Sequence, residues 1–242
     1  MDTIKNKTVA DLVTDNIKTA DVFKKYGIDF CCGGGISVEK ACAKEKIDFN
    51  TLAKELLAID SKILITQNYK TWALDYLADY IVNTHHTYVT EAIPLLIQYS
   101  DRVAKVHGHH YTEVIAINKL VHTIAEELTA HMKKEELILF PFIKRMIAEQ
   151  NGATYVSIPP FENVEDPIKM MEEEHEVAGD ILKEISVLSN NHTPPEGACN
   201  TFKALYNKLQ EFEDDLHQHV HLENNILFPK AIQLEKELSK TT

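Results

Sequence analysis

Between residues 71 and 238, apolar side chains recur every three or four positions in four long runs, about 71–104, 111–149, 165–190 and 198–238. That spacing predicts four long helices. Breaks carrying Gly108, Gly152, Pro159-Pro160 and Pro194-Pro195 separate the runs, so the expected arrangement is an up-and-down four-helix bundle. The second and fourth runs each contain a proline, Pro141 and Pro229, which removes a backbone donor and should kink its helix. Upstream, short apolar groups at 9–13, 22–26, 38–42 and 52–59 predict a small helical unit, followed by a polar linker at 61–70. The predicted domains are 1–62 and 71–240. So small a unit buries little surface alone, so it is expected to dock on the remainder or to pair in a homodimer.

The chain contains an internal repeat. His131-Met-Lys-Lys-Glu135-Glu-Leu-Ile138-Leu139-Phe140-Pro141 returns 88 residues later as His219-Val-His-Leu-Glu223-Asn-Asn-Ile226-Leu227-Phe228-Pro229. His86 lies 45 residues before His131, and His175 lies 44 before His219, so the bundle reads as two duplicated helical hairpins. On a helix, positions i and i+4 differ by about 40° and one turn, which brings each His and Glu to one pocket. Five H-x3-E pairs occur in the chain, including those starting at His109, His122 and His192, but only the two in the repeat precede I-L-F-P.

Register separates the repeat pairs further. Leu120, Ile124 and Leu128 precede His131, and Ile138 and Phe142 follow it at helical spacing, so His131 and Glu135 fall on the apolar stripe. Phe212, Leu216, Leu222 and Ile226 flank His219 in the same way, and Ile168, Met171, Ala178 and Leu182 flank His175. His85 and His86 both have apolar neighbours; the 45-residue offset, together with Val82, Val89 and Ile93, selects His86. His217 and His221 are expected to face away from His219, and His107, His109 and His110 to be solvated.

Four imidazoles and two carboxylates would give each of two metals two histidines and a share in two bridging glutamates, with coordination positions left open. Nitrogen and oxygen donors without thiolate argue against structural zinc and favour iron, then manganese. Without a cation, burying these groups would cost several kcal/mol unless they neutralised or found hydrogen bonds.

Composition supports the helical reading: Gly and Pro number 8 each, and 44% of residues are hydrophobic. A formal charge of -12, with basic residues scattered, excludes a nucleic-acid backbone as a natural partner. The absence of an eighteen-residue apolar stretch or a basic leader implies no membrane span and a cytoplasmic protein. Cys31 and Cys32 are adjacent, with Cα atoms about 3.8 Å apart, too close for an unstrained bridge. They precede a helix starting near Ser37, whose dipole is expected to lower a thiol pKa; Cys42 and Cys199 read as core-like.

Taken together, Asp29-Phe30-Cys31-Cys32-Gly33-Gly34 with Ala41-Cys42, His131 to Pro141, Glu174-His175 and His219 to Pro229 resemble the hemerythrin-like iron-sulfur cluster repair proteins, or Repair of Iron Centers di-iron proteins. The resemblance covers essentially the whole chain; Gly35-Ile36 is a local departure from it. It implies an all-α hemerythrin-like bundle holding two non-haem iron ions per chain, carboxylate-bridged and oxo-bridged when oxidised. Glu135 and Glu223 would be the bridges and His86, His131, His175 and His219 the terminal ligands. It further implies a stress-response role in repairing clusters damaged by oxidative or nitrosative stress, by iron donation or nitric oxide reduction. Damaged iron-sulfur proteins and nitric oxide or oxygen would be the partners, and Cys31 and Cys32 a redox, iron or nitric oxide relay. The alternative from the same fold is a hemerythrin-like oxygen-binding or sensing protein.

Overall fold

The computed structural model describes residues 2–59, 68–153, 161 and 163–240, and among these every regular element is a helix. The N-terminal region contains α1 (Asp2–Lys5), α2 (Val9–Asp15), α3 (Thr19–Lys25), α4 (Val38–Glu45) and α5 (Phe49–Ala58). The first long run is α6 (Leu74–Ile81), a π turn at Val82–His86 and α7 (Thr87–His107). The second is α8 (Glu113–Lys134), a π turn at Glu135–Leu139 and α9 (Phe140–Gln150). The third is α10 (Glu165–Leu188), and the fourth is α11 (Asn200–Leu222), a π turn at Glu223–Leu227 and α12 (Phe228–Leu238). Most of the expected linker, residues 61–67, and the Pro159-Pro160 break lie outside the described residues.

In place of a simple proline kink, the helices around Pro141 and Pro229 carry a π turn. The Phe140 N–H reaches back to the Glu135 carbonyl, and the Phe228 N–H to that of Glu223, each five residues away. Each proline then sits in the first turn of the following helix, where its missing N–H costs nothing. The extra residue rotates everything beyond it. Ile138, expected in the apolar stripe, is instead 45% exposed and Phe142 half-buried, while Leu139, Ile143 and Met146 turn inward.

The chain forms two compact units. One comprises Met1–Leu77 with His217–Thr242, the other Ala78–Leu216, so the divisions fall inside α6 and α11. In the second unit, α7 packs on α8 and α8 on α10 around Leu96, Ile117, Ile124, Leu128 and Leu182. The connection after α10 passes through three left-handed residues, Asn190, Asn191 and His192. His192 holds it in place: Nδ1 lies 3.1 Å from Ser189 Oγ, and Nε2 bonds Glu213 on α11.

In the first unit, side chains of Thr8, Ser37 and Asp48 cap α2, α4 and α5, and Val9, Val13, Phe23, Val38 and Leu52 close the core. Gly34 is required sterically, since a Cβ there would lie 2.3 Å from the Phe30 carbonyl oxygen. Its own carbonyl accepts the Ala10 N–H at 2.8 Å, tying the Cys31–Cys32 loop to α2. Residues at the other end of the chain belong to this core: Lys230 donates to the carbonyls of Lys70 and Trp72. Among the described residues no helix is long and apolar enough to cross a membrane.

Ile117 is fully buried, whereas Ile115 is 43% exposed on the same helix. Ile117→Ala should therefore cost about 2–5 kcal/mol and lower the urea midpoint, with Ile115→Ala within about 0.5 kcal/mol of the parent.

Candidate metal centre

Within the Ala78–Leu216 unit, α8, α10 and two π turns place four of the predicted ligands together. His86 ends one π turn and Glu135 begins the next, and both are buried. His86 Nε2 lies 3.3 Å and His131 Nε2 3.4 Å from Glu135 Oε2. His175 Nε2 is 3.0 Å from His131 Nε2, and donor atoms of His131, Glu135 and His175 all lie within 4.8 Å of one another. Phe140 of the I-L-F-P motif stacks on the His86 ring, with centroids 5.8 Å apart. His85 points elsewhere, its Nδ1 2.9 Å from Asp215.

The outer nitrogens of two of these rings are held by carboxylates. Glu136 lies 2.8 Å from His86 Nδ1, and Glu174 2.8 Å from His131 Nδ1. A carboxylate accepts, so each Nδ1 carries the proton, and the Nε2 that faces Glu135 is the nitrogen each ring can offer to a metal. Lys134 in turn donates to Glu174. Burial raises the Glu174 carboxyl, but hydrogen bonds from Lys134 and His131 outweigh it and keep the pKa below the usual carboxylate range. Glu136 follows Glu135 directly and Glu174 precedes His175, so both were visible in the sequence as neighbours of ligands. Their roles were not, because carboxylates that hold a ligand ring from behind follow no spacing rule of their own.

In the other unit the repeat pair has the same local form. His219 and Glu223 are buried, with Nε2 3.0 Å from Oε1 one helical turn away, and Glu223 again begins a π turn. Convergent imidazole lone pairs on buried carboxylates, with no thiolate among them, fit an intermediate divalent cation of the iron or manganese kind. Such groups can hold a metal.

Two family profiles match the chain. Residues 77–231 match the profile described as a hemerythrin HHE cation binding domain, and residues 5–60 match one described as a domain of unknown function (DUF542). The protein named iron-sulfur cluster repair protein YtfE of Yersinia pseudotuberculosis serotype IB is 35% identical over 231 residues, covering 96% of this chain and 99% of the relative. Its namesake in Yersinia pestis strain Pestoides F has the same identity and coverage. The chain belongs to the hemerythrin-like iron-sulfur cluster repair family. Its architecture is the expected one for that family, an all-α hemerythrin-like bundle with a small helical N-terminal domain.

For this member of the hemerythrin-like repair family, the structure corrects two expectations about cysteines and gives one histidine its partners. His221, expected to face away from His219, is buried against α2 and the cysteine loop. Thr14 donates to the Ala10 carbonyl, so it accepts from His221 Nε2 at 3.1 Å, and Asn225 donates to the opposite nitrogen at 3.1 Å. Burial pulls His221 down to about 4, leaving it a neutral link between α2 and α11. The Cys31 thiol is not lowered by the α4 dipole. Its hydrogen bond with Cys32, then its burial, push it well above the usual thiol range, and Asp29 adds to this. Cys199, expected in the core, is exposed.

Glu135→Ala and Glu223→Ala should each strip most bound iron after anaerobic reconstitution, whereas exposed Glu126→Ala should retain the parental content by elemental analysis. Glu174→Gln should keep the ligands but weaken metal affinity about 10–100-fold in a chelator competition.

Proposed function

We propose that the chain holds two iron ions, with His86, His131, His175 and His219 as terminal ligands and the carboxylates of Glu135 and Glu223 shared between the metals. The proposed function is repair of iron-sulfur clusters damaged by oxidative or nitrosative stress. The observation that carries it is the twice-repeated buried His–Glu pair at the start of a π turn, within a chain 35% identical to iron-sulfur cluster repair proteins over nearly its full length. Bound iron would supply redox chemistry and open coordination positions for a diatomic ligand or for release to a recipient.

The chain's own residues set the conditions for that chemistry. Glu136 and Glu174 fix the tautomers of His86 and His131, so the inward nitrogens stay available as lone pairs. Buried apolar neighbours such as Leu128, Leu139 and Phe140 keep bulk water from the carboxylates. Cys31 and Cys32 are proposed as a thiol relay for iron or nitric oxide. Support comes from Asn224 and Asn225, the two residues after Glu223: Asn224 lies 3.8 Å from Cys32 Sγ, and Asn225 donates to the Cys31 carbonyl at 3.0 Å. Damaged iron-sulfur proteins and nitric oxide are the proposed partners, in the cytoplasm.

Iron-loaded protein should restore activity to an oxidatively damaged iron-sulfur hydratase, and the metal-free chain or Glu135→Ala should not. Failure of the loaded protein to do so would remove the repair reading. Reduced protein given nitric oxide should form nitrous oxide; reversible oxygen uptake without nitrous oxide would instead favour an oxygen carrier or sensor. Iron content should fall as pH drops from 8 to 4, because imidazole must be neutral to bind metal. A flat profile would exclude histidine ligation.

A further inference from the structure

Cys199 precedes α11, and its carbonyl accepts the Lys203 N–H at 3.1 Å, so the thiol sits at the cap of that helix. It is the exposed member of the four free cysteines: Cys31 and Cys42 are buried and Cys32 is intermediate. Its sulfur lies 3.2 Å from Nε2 of His107, the last residue of α7. The two residues are 92 apart in sequence and meet through packing of the helix ends. Phe202, one turn into α11, lies against the His107 ring at 5.5 Å and against Tyr111 at 5.6 Å. Gly197, at φ +78, turns the chain into the cap.

A thiol and an imidazole within hydrogen-bond reach are the paired elements of a nucleophile and its base. Water competes freely for an exposed S–H···N contact, so the pair adds little to stability. What the geometry does supply is an accessible sulfur whose proton has an adjacent acceptor. Neither residue belongs to the ligand sets above.

We propose that Cys199 and His107 form a second reactive site, separate from the metal ligands, that takes up a small disulfide of the glutathione type as a mixed disulfide. The Cys199 proton passes to His107 Nε2, and the sulfur attacks one sulfur of the incoming disulfide. The Cys199 S–S bond forms as the old S–S bond breaks, and the departing thiolate takes the proton back from His107. One thiol is consumed and one released, so no further oxidant is needed. The access that permits this is the exposure of Cys199 itself.

The test uses the full iron-loaded chain with oxidised glutathione at neutral pH, followed by intact mass and peptide mapping. Modification should fall first on Cys199, at least about ten-fold faster in the folded protein than at the same residue in denaturing urea. His107→Gln should reduce the folded rate to that of the unfolded chain while leaving iron content unchanged, and Cys199→Ser should remove the fast phase. First modification at Cys32, or equal folded and unfolded rates at Cys199 in the parent protein, would overturn the proposal even if His107→Gln failed to fold. An unchanged rate in folded His107→Gln would overturn the role of the base. Cluster repair and nitrous oxide formation report on the metal centre and are read separately.

Discussion

Two glutamates buried among apolar helices are the constraint around which this chain is organised. An ionised carboxylate deep in a helical core costs several kcal/mol unless positive charge or directed hydrogen bonds compensate it. Around Glu135 the neighbouring groups are arranged in layers that call for a cation. Imidazole nitrogens of His86 and His131 approach it from two helical segments, and carboxylates at Glu136 and Glu174 hold those rings from behind. Lys134 neutralises the outermost charge. The polarity therefore alternates outward, so the arrangement is most favourable with a cation at its centre.

The four long helices and the ligand repeat were legible because both obey fixed periods. Apolar spacing placed α7, α8 and α10 to within a few residues, and the i, i+4 pair fixed which helix faces carry His131 with Glu135 and His219 with Glu223. Three kinds of feature were not legible. A π turn changes the period at the motif itself, so a constant 3.6-residue phase carried past Glu135 put Ile138 inward when Leu139 occupies that place. The partners of the histidines come from other helices, where sequence distance carries no signal. Single-residue environments such as those of His221 and Cys199 depend on how loops and helix ends meet, so residue type alone misplaced Cys199 and gave His221 no partner.

The small helical region shows how a short segment becomes ordered without a large core of its own. Its unit includes the last part of the chain, and the link is polar as well as apolar: Thr14 meets His221, and Asn225 spans from His221 to the Cys31 carbonyl. These bonds come from the same helical turn that presents His219 and Glu223, so one short stretch of sequence serves the cysteine loop on one face and a candidate ligand pair on the other.

The π turns also record ancestry. A π turn arises when one residue is inserted into an α-helix, and here such an insertion starts at the equivalent glutamate in both halves, Glu135–Leu139 and Glu223–Leu227. Two independent insertions at one homologous site are less economical than a single event in an ancestral hairpin that was later copied. The turn ending at His86 has no counterpart in the uninterrupted α10, so the two hairpins differ at that place. The copying is thus preserved in the backbone, where substitution of side chains cannot erase it.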